Sequence, residues 1–218
     1  MIRKLFIRVL TACSFIIPVG LVAQENPVEA NFPYLIENHE VNHYPYFDGI
    51  TCAVVVLNSL KNENIESSGL GDKTLITQEN IFNPHILSIA TPEYIEKNGV
   101  AIDQLVQIFQ FYGLKAKASY PTVMTEEALR EMVQSTLKSP NSMMIVNYDQ
   151  GCTSLKKGIT YGVVIGYDIK SDAVWVLKVN ENSKSKEWIK TKDLLKGMQS
   201  LDENHTPHGL IIIEKPQE

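Results

Sequence analysis

The hydrophobic and polar positions change period along the chain. Ala53-Val54-Val55-Val56-Leu57 is an unbroken apolar run in which β-branched residues dominate. By composition alone it predicts a buried strand. A helical pattern follows. Thr77 stands as a cap before Gln78-Glu79-Asn80. Thr91-Pro92-Glu93 opens a short helix that Asn98-Gly99 closes, with proline just inside the start and glycine just past the end. Ile102, Leu105, Val106 and Phe109 recur at helical spacing, and Gly113 ends that helix. Thr125–Leu137 predicts another, with Leu129, Met132, Val133 and Leu137 on one face. The second half reads as strands at Met143–Val146, Tyr161–Tyr167, Ala173–Val179 and Gly209–Ile213, with a short helix at Thr191–Met198. Ser171-Asp172 is a tight connection, which makes Tyr161–Tyr167 and Ala173–Val179 an antiparallel hairpin. Helices first and antiparallel strands afterwards is an α+β order. At the front, Gln24–Phe32 reads as a polar tether and Pro33–Ile36 as a short strand, while Ser67–Asp72, with Gly69 and Gly71, reads as a loop.

The chain has 218 residues, 44% hydrophobic and 21% charged, which is globular composition and points to one domain. Its formal charge of −5 offers no clustered basic face and excludes a nucleic-acid partner. Residues 1–23 carry an export pattern. Arg3, Lys4 and Arg8 precede the apolar stretch Val9–Val19, Pro18 and Gly20 break it, and Leu21-Val22-Ala23 offers a cleavage point before Gln24. The apolar stretch is too short to span a bilayer comfortably, so no membrane span is expected in the mature chain. Leu10-Thr11-Ala12-Cys13 looks like a lipobox, but Ser14-Phe15-Ile16-Ile17 continues the apolar signal where a lipoprotein would begin a polar tether. The expected product is exported, periplasmic or secreted, with an N-terminal segment at 24–44 and a domain at 45–215. Cys13 leaves with the signal. Cys52 and Cys152 remain, too few for a disulfide framework, and whether they pair stays open.

His39-Glu40-Val41-Asn42-His43 is literally H-E-x-x-H, the zinc-hydrolase signature, which needs both histidines on one helix face. Its context opposes a helix. Tyr44-Pro45 stops one, the upstream flank is polar, and Glu63, Glu66 and His85 follow no third-ligand spacing. The pair reads as exposed histidines on a loop, with no metal, and His205-Thr206-Pro207-His208 reads as a surface turn.

Several stretches, taken in order, carry a family resemblance. Val55-Val56-Leu57-Asn58-Ser59-Leu60 comes first, then Ile76-Thr77-Gln78-Glu79-Asn80-Ile81-Phe82. Gly99–Leu105 with Tyr112-Gly113 follows, then Val146-Asn147-Tyr148, Ile165-Gly166-Tyr167 and Val174–Val179. From about Tyr46 to Ile213 the chain resembles the phytochelatin synthase family, papain-like cysteine transpeptidases that act on glutathione. The resemblance implies a papain-like α+β fold in which Asp48–Leu60 is a central buried helix, against the strand its composition predicts.

The reactive positions depart from that family. Where it carries Tyr-Cys-Gly, this chain has Phe47-Asp48-Gly49, so Asp48 stands at the nucleophile. Asn42 matches the oxyanion glutamine, Thr160 the catalytic histidine, Lys178 the orienting aspartate, and Gln150 a basic residue. Acyl transfer of this kind needs a thiolate, a base near neutrality and a group that orients it. Asp48 is a poor amide nucleophile, the Thr160 hydroxyl is no base, and Lys178 would disfavour an imidazolium. Asp48 is nevertheless comfortable at a helix N-terminus, where the dipole favours a carboxylate by roughly 0.3–1 kcal/mol. The resemblance therefore implies a pseudoenzyme without cofactor. Its cleft would take a small thiol peptide such as glutathione, or a protein partner, through Gly49, Gln150 and Tyr161. The alternatives are a transferase or amidase using a relocated Cys152, and a zinc hydrolase through His39, Glu40 and His43. Cys52, one turn into the helix, is expected to be a packed small hydrophobe. With Thr160 small and the outer positions oppositely charged, Lys178 is expected to approach Asp48 directly or through water; the alternative is that Lys178 turns to solvent and Asp48 only caps its helix.

Overall fold

The computed structural model describes residues 28–29, 41–60, 75–152, 158–179, 185–201 and 208–216. The signal pattern, Pro33–Ile36, His39, Glu40 and Ser67–Asp72 lie outside the described residues.

The apolar run is a helix. Helix α1, Asp48–Ser59, buries every residue from Gly49 to Asn58. Valine lies within about 0.7 kcal/mol of alanine in helix propensity, whereas burying a valine side chain is worth about 1.5 kcal/mol or more. Surroundings that bury the run on every side therefore outweigh the preference of its β-branched residues. Helix α2, Pro84–Ile89, escapes the sequence reading; Asn83 caps it by accepting from the N–H groups of His85 and Ile86. Helix α3, Pro92–Asn98, starts where Thr91 accepts the Tyr94 N–H and ends at Gly99, whose φ of +72° suits glycine. Helix α4 is Ile102–Phe111, α5 is Glu126–Lys138 behind the Thr125 cap, and α6 is Thr191–Gln199. Thr77 caps a turn and no helix: its hydroxyl accepts from the N–H groups of Glu79 and Asn80 and the chain then leaves the spiral.

The sheet is antiparallel throughout the described residues. Its strands are β1 (Val28–Glu29), β2 (Lys115–Ser119), β3 (Ser142–Asp149), β4 (Ile159–Asp168), β5 (Ala173–Lys178), β6 (Ser185–Lys190) and β7 (Gly209–Glu214). They lie in the order β2-β7-β3-β4-β5-β6, with β1 on β4. Strands β2 and β6 carry lysines that hide them from a hydrophobicity reading, and Val28–Glu29 pairs with Gly166 and Tyr167 where the sequence read a tether. The hairpin between β4 and β5 is as expected. Its turn is held by Asp172, whose carboxylate takes hydrogen bonds from Arg130, the Tyr167 hydroxyl and Thr191.

Both faces of the sheet are covered. Tyr161, Val163, Leu177, Val179 and Ile211 pack with α1 and α4 on one face. Met144, Val146, Tyr148, Val174 and Val176 pack with α5 and α6 on the other. Double coverage explains why β3 and β4 read as near-continuous apolar runs. Among the described residues no helix is long and apolar enough to cross a membrane.

Candidate functional site

The site lies where the N-terminus of α1 meets the start of β4. Gly49 makes the approach possible. A Cβ there would stand 2.4 Å from Val100 Cγ1 and 3.1 Å from Tyr161 Cδ2. The Tyr161 ring lies against that glycine while its hydroxyl donates to the Val100 carbonyl at 2.7 Å. What Tyr161 offers the site is its backbone N–H, which donates to Asp48 Oδ2 at 2.6 Å; the Thr160 hydroxyl donates to the same oxygen at 3.1 Å. Asp48 is half-buried. Burial pushes its carboxyl up from the ordinary aspartate value, and the bonds from Tyr161 and Thr160 only partly offset this. The structure thus brings Asp48 and Thr160 together across 112 residues of sequence.

Lys178 does not join them. It shares its side of the sheet with Val174 and Val176, whereas its neighbours Leu177 and Val179 turn toward α1. Its ammonium, on a residue only 3% exposed, pairs with Glu187 on β6 and donates to Gln150 Oε1 at 3.3 Å. The expected direct approach of Lys178 to Asp48 is therefore corrected: the Glu187 carboxylate on the neighbouring strand receives the ammonium. Gln150 joins Lys178 through the same contact.

Asn42 is held at the end of β5. Its N–H donates to the Val179 carbonyl at 3.0 Å, and its side-chain oxygen accepts the Thr51 hydroxyl at 2.6 Å. Gln78 braces the same stretch, donating to the Val41 carbonyl at 2.8 Å and accepting the His43 N–H at 3.1 Å. His43 itself is exposed and lies 3.1 Å from the Glu79 carboxylate, which that contact holds below the usual range. No group of side chains suited to a metal ion occurs among the described residues.

The sequence reading missed several neighbours. Asn147 donates to the Thr160 carbonyl at 3.3 Å, and its oxygen is 3.1 Å from His208 Nδ1. His208 is 4% exposed, so its assignment to a surface turn is corrected: the residue just before β7 is drawn under the sheet by Asn147. Tyr148, the cross-strand partner of Thr160, has a fully buried hydroxyl with no hydrogen-bond partner among the described residues. Burial pushes that phenol up, and the charges of Glu187, Cys52 and Asp48 add to the effect. No spacing rule in the sequence signals these contacts, because each depends on strand register.

Cys52 is fully buried in the core below Asp48. Burial, and then the Asp48 charge, push its thiol well up, so it is an inert packed side chain. Cys152 ends the short 3₁₀ turn Gln150–Cys152 and is half-buried. Both thiols are free, so the two do not pair.

Comparison with known proteins bears on what this arrangement is. One solved structure with a similar fold is a double glycine motif protease from an AMS/PCAT transporter, in complex with the leader peptide. It is 12% identical with a TM-score of 0.45, over 88% of this chain and 100% of that one. UfSP from C. elegans is 13% identical with a TM-score of 0.39, over 87% of this chain and 34% of that one. No curated protein matches the sequence. The family model described as phytochelatin synthase matches residues 21–209, across the helix that carries Asp48 and the strands that carry Thr160 and Lys178. The fold is α+β, and the chain belongs to the phytochelatin synthase family.

Proposed function

We propose that this protein is an exported member of the family that has lost acyl transfer. In this reading it keeps the cleft of its 45–215 domain for binding a small thiol peptide such as glutathione, or a peptide segment of a partner. One observation carries the reading. At the position where the resemblance puts a thiolate beside an imidazole, a carboxylate is hydrogen-bonded to a threonine hydroxyl and a backbone N–H. A family reaction would break the amide before the substrate's glycine, form a thioester, and pass the acyl group to an amine or water. Asp48 in the thiolate's place would have to form a mixed anhydride, a product less stable than the amide it came from. Thr160 accepts no proton near neutrality, so the departing amine would leave without an acid to protonate it. Losses within a unit that acts together are not recovered one by one.

Binding asks less of the site. Asn42 remains braced at the cleft, Gly49 keeps the approach to Tyr161 close, and Gln150 can still meet a polar ligand atom. The test is direct. Purified protein is incubated with glutathione, and released glycine is measured beside calorimetric binding of glutathione. The reading expects no glycine and measurable binding. Glycine release abolished by Cys152→Ala would transfer the reading to a relocated nucleophile. Neither release nor binding would remove glutathione and leave the peptide partner as the ligand.

A further inference from the structure

The far edge of the sheet is built differently from the cleft and bears on a separate activity. Among the described residues β6 pairs with β5 alone. Its backbone orientation follows from one bond: the Thr191 N–H donates to the Asp172 carbonyl at 3.0 Å, so those two face each other as a hydrogen-bonded pair. In the same register Val174–Ile189 and Val176–Glu187 are hydrogen-bonded pairs, while Ala173–Lys190, Trp175–Trp188 and Leu177–Lys186 are not. Lys186, Trp188 and Lys190 therefore turn their own N–H and C=O groups outward, away from β5.

The same residues share one face. Glu187 turns to the opposite face to meet Lys178, and Ile189 is buried there. On the outer row the indoles of Trp175 and Trp188 stack with centroids 5.2 Å apart and planes 6° from parallel. Close stacking is what a non-hydrogen-bonded pair allows, since its side chains approach more nearly. Lys186 Nζ lies 5.1 Å from the centre of the Trp175 ring, and the Lys190 ammonium rests on the Ser171 carbonyl. Trp188 remains 44% exposed. Lysines on an edge strand commonly deter pairing with other chains. Here Lys186 is drawn back over an indole and an exposed indole stands between the lysines, so the row combines open backbone groups, an apolar centre and basic flanks.

We propose that β6 is a docking strand for an extended, acidic peptide segment of a partner protein. The segment adds antiparallel to the sheet edge through backbone bonds to Lys186, Trp188 and Lys190. Its side chains facing the row are acidic opposite the lysines and apolar opposite Trp188. Charge favours this partner: the row is basic in a chain whose formal charge is −5. The outward backbone favours a strand over a polyanion, which would need only the lysines.

The probe is the capped peptide Thr-Glu-Val-Leu-Val-Glu-Thr, which has the same face pattern in either direction. It is added to the full chain while amide hydrogen exchange is followed. The peptide should slow exchange at Lys186, Trp188 and Lys190 and leave Glu187 and Ile189, already bonded to β5, unchanged. N-methylation at the central leucine, which removes a donor aimed at β6, should weaken binding by about tenfold or more. N-methylation at a valine, which points away, should not. The double variant Lys186→Gln/Lys190→Gln should weaken binding and flatten its salt dependence. Equal binding of both N-methylated peptides, or no protection on the row, would overturn the proposal. Heparin or single-stranded DNA protecting the row when the peptide does not would assign it to a polyanion instead. Because the N-methyl comparison uses the unaltered protein, a folding defect in a variant cannot imitate its result.

Discussion

The carboxylate of Asp48 lies 2.6 Å from the backbone nitrogen of Tyr161, joining the first residue of α1 to the start of β4 by a charge-assisted hydrogen bond. Asp48 is in this molecule a structural clasp between the helix and the sheet.

That clasp has a pH signature. The folded protein holds Asp48 above its ordinary value, so the folded state binds the proton more tightly than the unfolded chain. The contribution is fully present below the unfolded aspartate value and is lost as pH rises through the raised one. Asp48→Asn keeps an oxygen to accept from Thr160 and Tyr161 while removing the charge. Its Tm should exceed that of the parent at pH 7, and the gap should close on acidification through the Asp48 titration. Thermal melts across pH measure this; a constant gap would mean the charge is not what differs.

Lys178 and Glu187 form the second electrostatic unit. Lys178→Met leaves a partly buried carboxylate without its partner and should cost about 2–3 kcal/mol, below the full value for a buried pair because Glu187 keeps some solvent contact. The double variant Lys178→Met/Glu187→Leu should recover most of that loss. Urea titrations of the single and double variants give both numbers. The Asp48 titration, followed by NMR, should be unmoved by Lys178→Met.

At Gly49 the usual rule should invert. Alanine in place of glycine within a helix ordinarily gains up to about 1 kcal/mol. Here the added carbon meets Val100 and the Tyr161 ring, so Gly49→Ala should cost about 1–3 kcal/mol through overpacking. A gain in stability would show that the Tyr161 ring moves aside freely.

Tyr148 offers a fourth measurement. Its hydroxyl is buried without a partner among the described residues, so Tyr148→Phe removes an unmet polar group and keeps the ring. The variant should be neutral or more stable by about 1 kcal/mol in denaturant titration. A clear loss of stability would mean that the phenol makes a bond through solvent.

Which features the sequence discloses follows from the physics behind each. Helix α3 is legible because Thr91, Pro92 and Gly99 act within a few residues of one another. The approach of Thr160 to Asp48 is legible through the family pattern, since both align with positions that must meet. Composition misleads at α1, because Val54, Val55 and Val56 prefer strands until neighbours surround them. Strand β6 is illegible because its outward row is Lys186, Trp188 and Lys190 and only Ile189 is a buried apolar residue. Without β6 the partner of Lys178 is not legible, because nothing in the sequence sets Glu187 beside it. His208 is hidden for a related reason, since its Asn147 contact exists only once β3 and β7 are in register.

The Lys178–Glu187 pair constrains what position 178 can carry. Returning an aspartate to position 178 would set it toward Glu187, so the family's orienting carboxylate would face a like charge in a poorly solvated place. Replacing Asp48, Thr160 and Lys178 by the Cys, His and Asp that the family resemblance matches to them therefore leaves Glu187 opposed to the new aspartate, and Glu187 has to be neutralised as well. Positions 178 and 187 are thus coupled across two strands, and an acidic residue at 178 is tolerated only together with a change at 187.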